Sequence, residues 1–81
     1  DRLAACVNCA GPVTSVYRWE GKTCREQEFL LVIKTTAERL DALFDRVAAL
    51  HSYEVPEIIA LPVTAGWPPY LEWVRSETRQ G

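Results

Sequence analysis

Apolar and polar positions along the chain predict a strand-rich first half and a helix-rich second half. Residues 6–10 give a short strand, closed by Gly11-Pro12, a strong turn signal. From Val13 to Trp19 the β-branched and aromatic side chains of Val13, Val16, Tyr17 and Trp19 predict a second strand. Glu20-Gly21-Lys22 supplies a tight reversal, because Gly21 tolerates the positive φ of a hairpin turn. The return arm runs from Thr23 to Thr35. Its inner half, residues 29–33, is continuously apolar, the pattern of a strand covered on both faces. Its outer half, residues 25–28, is polar and is expected to protrude into solvent or to pair with another subunit.

Thr36 is a candidate N-cap, and Leu40, Leu43, Phe44, Val47 and Leu50 then follow as one face of an amphipathic helix ending near His51-Ser52. Ile58-Ile59-Ala60-Leu61, bounded by Pro56 and Pro62, predicts a buried strand. Pro68-Pro69 can open a short helix whose apolar side is Tyr70, Leu71, Trp73 and Val74, before a polar tail from Arg75. Residues 1–6 read as the last turn of a helix without its beginning. The predicted fold class is therefore α+β, a single domain over residues 1–81. Its order, β-β-α-β, is what remains of the ferredoxin-like (split β-α-β) sandwich without its first strand and most of its first helix.

Composition narrows the function classes. The 81 residues have 48% hydrophobic and 25% charged residues, a globular composition. A chain this short buries a modest core, and oligomerisation is a common remedy. The net charge of -2 argues against nucleic-acid binding, which calls for a basic patch. No apolar run approaches the roughly 18 residues of a membrane span, and no charged-then-apolar leader is visible. Three cysteines, Cys6, Cys9 and Cys24, cannot all pair within the chain, which favours a reducing, cytoplasmic setting.

Several motifs together resemble one family. Residues 3–8 (LAACVN), 15–22 (SVYRWEGK), 33–36 (IKTT), 51–58 (HSYEVPEI), 60–62 (ALP) and 70–73 (YLEW) are similar, in order and spacing, to the CutA family of divalent-cation tolerance proteins. The resemblance implies a ferredoxin-like subunit in a tight homotrimer, with long hairpins joining sheets across subunits. It also implies a cytosolic protein associated with copper and heavy-metal tolerance, structurally similar to PII-type signalling proteins. Cys6 and His51 match positions implicated in copper binding. Two departures stand out: the family's first strand and most of its first helix have no counterpart here, and Ser52 stands where the family usually has proline.

Each candidate site has a plainer reading beside it. Cys6-Val-Asn-Cys9 has chelating C-x-x-C spacing, but on a strand an offset of three sends the two sulfurs to opposite faces. With one histidine and no second C-x-x-C, a closed four-ligand zinc site is impossible within one chain. His51 after a helix is either a C-terminal cap or a ligand for Cu(II) or another divalent cation. Threefold symmetry would supply three copies of each ligand. Cys6 either joins such a site or simply packs. Lys34, Tyr53, Glu54 and Glu57 either line a cleft between subunits, as a small-molecule sensor would require, or pair at a trimer seam. Tyr17, Trp19 and Trp73 are expected at the trimer interface, with Trp19 at the hairpin tip. No nucleophile has a base beside it and no phosphate-binding glycine loop is present, so the chain reads as non-enzymatic.

Overall fold

The computed structural model describes residues 2–51 and 55–79. Two strands, β1 (Cys6–Trp19) and β2 (Lys22–Lys34), are followed by a 3₁₀ turn (Ala37–Arg39), helix α1 (Leu40–Leu50) and helix α2 (Pro68–Thr78), an α+β chain. The strands pair antiparallel from Cys6 opposite Lys34 to Trp19 opposite Lys22. Glu20 and Gly21 close the hairpin at φ 51 and 76, both left-handed, the combination whose twist matches the flanking strands.

The two strands expected on either side of Gly11-Pro12 are one. The register shifts between Ala10 and Val13, so β1 carries one extra residue there and continues instead of turning. Gly11 has φ 148 and is followed by a cis bond to Pro12. The bulge keeps the side-chain alternation in phase with β2. Phe29, Leu31 and Ile33 share one face of the hairpin, and Leu30 and Val32 share the other.

The helix prediction holds for α1, where Leu43 is buried and Leu40, Phe44 and Val47 are half-buried, but Leu50, at the end of the expected face, is 70% exposed. Thr36 precedes the 3₁₀ turn but makes no side-chain cap. Its hydroxyl lies 3.3 Å from that of Thr78 instead. Pro68 and Pro69 open α2, where their missing N–H groups cost nothing. That helix runs on to Thr78, well into the expected polar tail.

Two expectations are corrected. Residues 58–61 form no strand: the described sheet is β1–β2 alone, and Ile59 and Leu61 are 70% and 82% exposed. A strand exists by pairing, and no described segment pairs with this one. Residues 3–5 are irregular rather than helical, with Arg2 at φ 57. A single turn has too few internal hydrogen bonds to offset its nucleation cost.

The single chain is elongated and underburied. Its principal extents are 45 × 24 × 20 Å and its radius of gyration is 15.1 Å, against about 12 Å for a compact chain of this length. Neither helix lies broadly against the hairpin. Leu43, Val74 and Thr78 are the buried residues among those described. The accessible surface is 6811 Å². A compact monomer of this mass would expose about 4,900 Å², so the excess is about 1,900 Å². Much of it is apolar: Phe29, Leu30, Leu31 and Val32 are all exposed, on both faces of the hairpin.

Candidate functional site

The predicted metal ligands lie on different elements. Cys6 begins β1, opposite Lys34, and is half-buried, with its thiol 3.9 Å from Asn8 Oδ1. His51 caps the far end of α1, an 11-residue helix about 16 Å long. There its backbone N–H donates to the carbonyls of Val47 and Ala48 at 3.0 and 3.3 Å. The residue itself is exposed. Among the described residues, no three or more His, Cys, Asp or Glu side chains group so as to hold a metal. Cys9 shares β1 with Cys6 at an odd offset, which puts the two thiols on opposite faces as anticipated. Cys6, Cys9 and Cys24 are all free thiols.

The second candidate cluster is only partly built. Lys34 ends β2, half-buried, and its carbonyl accepts the Ala5 N–H at 2.8 Å. Glu57 is exposed in the segment between the helices, and among the described residues no ion pair joins it to Lys34. Tyr53 and Glu54 lie outside the described residues.

The aromatic residues expected at an interface are open in the single chain. Tyr17, Trp19 and Trp73 are 36%, 43% and 43% exposed. Trp73 and Tyr70 form a tilted ring pair on α2 with centroids 5.8 Å apart. On the hairpin, Tyr17 sits opposite Cys24, diagonal to Glu26. Its phenol donates to the Glu26 carboxylate, which, with partial burial and nearby negative charge, pushes the Tyr17 pKa from 10.0 up to about 12. The folded chain therefore holds this proton at higher pH than the unfolded one. The contribution is complete below pH 10 and is lost as pH rises through 12. Subtracting the ultraviolet phenolate titration of Tyr17→Phe from that of the parent should isolate a step near pH 12. A difference step near pH 10 would show that the Glu26 bond does not persist in solution.

One polar cleft escaped the sequence reading. Its walls come from the 3₁₀ turn and the end of α2: Thr36, Glu38, Arg39, Arg75, Thr78 and Arg79, around about 360 Å³. Thr78, 2% exposed, donates to the Val74 carbonyl at 2.9 Å. The spacing of Leu71, Val74 and Thr78 is helical and was the available signal; threonine at its end disguised the continuing buried stripe.

The hairpin thus presents exposed apolar residues on both faces, and His51 stands exposed at the end of α1. Residues 1–77 match the model of the CutA1 divalent ion tolerance protein family. The chain belongs to that family. It is 51% identical over 78 residues to the divalent-cation tolerance protein CutA of Thermus thermophilus, spanning 96% of this chain and 76% of that one. It is 52% identical over 77 residues to human protein CutA, spanning 95% of this chain but 43% of the human one. Among solved structures, the Thermus thermophilus protein superposes with a TM-score of 0.93 over 96% of this chain. A PII-like CutA from Nostoc, 36% identical, does so with a TM-score of 0.91, covering 96% of this chain and 76% of that one. Among the described residues no helix is long and apolar enough to cross a membrane.

Proposed function

We propose that the protein is a cytoplasmic, non-enzymatic homotrimer that binds divalent cations, copper among them, and contributes to metal tolerance. The observation that carries the reading is the excess surface of about 1,900 Å², concentrated on apolar hairpin faces, in a chain of the divalent ion tolerance family. An area of that size is what an obligate interface removes from each partner. In this reading the complete subunit is a ferredoxin-like sandwich, and Ile58–Leu61 pairs once its neighbours are in place. Tyr17, Trp19 and Trp73 lie at the seams.

The donor set suits the ion only in the assembly. An imidazole is a good donor for Cu(II) and a thiolate a softer one that favours Cu(I), and one of each leaves the ion mostly solvated. Three symmetry-related His51 side chains, with Cys6 thiols as a further donor set, would supply what one chain lacks. Native mass spectrometry with one equivalent of Cu(II) per chain is the test. A trimer that gains copper, and loses most of that gain in His51→Ala, is expected. Full retention of copper in His51→Ala would move the site elsewhere.

The second reading is a small-molecule sensor of PII-like architecture, favoured by the structural likeness to the PII-like CutA of Nostoc. Lys34, Tyr53 and Glu57 would then line a cleft between subunits. A thermal-shift response to nucleotides or organic acids that is lost in Lys34→Ala, with none to metals, would select it.

A further inference from the structure

The outer arm of the hairpin, residues 13–19 of β1 against 22–28 of β2, extends about 23 Å beyond the bulge. Residues paired across the two strands point to the same face, so the register sorts the arm's charges. Arg18, opposite Thr23, and Arg25, opposite Val16, fall on one face with no acidic residue among them. Glu26, opposite Ser15, and Glu28, opposite Val13, fall on the other face together with Tyr17 and Trp19. Lys22 is the one cation on this second face, and it stands at the turn, opposite Trp19. The arm is a ribbon with a basic side and an acidic, aromatic side.

Neither side finds its counter-charge within the chain. Arg25 is exposed and Glu28 half-buried, and among the described residues neither takes part in an ion pair. They do not reach each other, since an offset of three along one strand sends their side chains to opposite faces. Arg18 turns back to the Gly21 carbonyl at 3.5 Å, a contact that brings it no carboxylate. Glu26 accepts the Tyr17 phenol, which holds that carboxylate on the aromatic side without adding a positive charge.

Guanidinium groups stack on aromatic rings and fork onto carboxylates, so the acidic side is suited to receive what the basic side presents. Two copies meeting basic side to basic side would oppose arginines, and acidic side to acidic side would oppose carboxylates. One side laid on the other brings unlike charges together. The first two are self-complementary contacts of a twofold dimer. The third is the head-to-tail contact from which a closed ring is built.

We propose that the arm is a sided docking element between copies of this chain. The side bearing Arg18 and Arg25 lies on the side of a neighbouring copy that bears Glu26, Glu28, Tyr17 and Trp19. Such a contact rests on the homotrimer reading and adds to it which side meets which. Charge selects the arrangement by penalising the twofold alternatives, while the apolar base of the hairpin supplies the larger share of the affinity.

The test is a charge exchange, read by native mass spectrometry and by sedimentation across a dilution series. The parent is expected to be a trimer. Reversing one side (Arg18→Glu with Arg25→Glu) or the other (Glu26→Lys with Glu28→Lys) should raise the concentration of half-assembly about tenfold, since every contact of the ring then opposes like charges. All four changes together should return it to within about threefold of the parent. The exchanged residues stand on opposite faces of one ribbon, so that rescue reports contact between copies and not repair within a chain. Circular dichroism establishes that each variant is folded. Should the acidic-side variant not fold, added salt decides: it should recover assembly in the basic-side variant by screening the new repulsion. A parent that is not a trimer would remove the homotrimer reading and the sided arm together. A trimeric parent whose folded variants assemble unchanged, or whose basic-side loss responds neither to the exchange nor to salt, would leave the trimer standing and overturn the sided arm alone.

Discussion

Replacing Leu31 with lysine should dissociate the assembled protein and destabilise each chain by about 3–5 kcal/mol. Leu31 lies mid-strand on β2, beside Phe29 and Ile33 on one hairpin face, and is 52% exposed in the single chain. If assembly covers that face, the substitution forfeits about 2 kcal/mol of apolar burial and leaves an ammonium without a partner in a dry seam, several kcal/mol more before it escapes toward water. If the face stays wet, the same change falls within about 0.5 kcal/mol of neutral, as exposed substitutions usually do. Light scattering gives the mass and urea unfolding at several protein concentrations gives the stability, since the stability of an obligate oligomer depends on concentration. An unchanged mass and midpoint would sink the assembly reading itself. The size of the effect follows from the position: leucine is ordinary on a covered strand and costly on a bare one.

The same physics separates what was legible in the residues from what was not. The hairpin turn was readable because Glu20-Gly21 is a local event: two left-handed residues, one of them glycine, suffice. The face of α1 was readable because its spacing is fixed by the helix alone. Ile58–Leu61 misled because a strand is defined by its neighbour, and apolar character says only that the segment wants cover. Gly11-Pro12 misled because its residues serve a turn and a bulge equally well; which one forms depends on whether β2 continues alongside, and it does. The polar cleft was invisible for a related reason. Arg39 and Arg79 are forty residues apart, and contacts such as that between the Thr36 and Thr78 hydroxyls bring their elements together. His51 and Cys6 share this limit: each is readable as a donor type, but they stand on different elements, and whether two such residues meet is set by tertiary placement.

Gly11→Ala should lower stability by about 2–4 kcal/mol, although it adds a single methyl to an exposed position. At φ 148 an L side chain is strained whatever the surroundings, a cost on the order of 1–3 kcal/mol. The surroundings add to it: a Cβ there would lie 3.0 Å from Phe29 Cδ1, 3.1 Å from the Glu28 carbonyl oxygen and 3.3 Å from Phe29 Cα. The phenyl ring can swing aside, but the Glu28 carbonyl is part of the ladder and cannot move without breaking pairing next to the bulge. Gly21→Ala separates the two contributions. Gly21 has φ 76 with no atom within 4 Å of a built Cβ, so only the backbone cost of about 1–2 kcal/mol remains. Thermal unfolding should therefore rank the parent above Gly21→Ala and Gly21→Ala above Gly11→Ala. For a domain of this size each kcal/mol is worth about 4–8 °C. Equal losses in the two variants would mean that the bulge relaxes freely and that Gly11 serves only its own backbone. A larger loss at Gly11, persisting when Phe29 is also changed to leucine, would locate the constraint in the Glu28 carbonyl, where the extra residue of β1 is held against the continuous strand.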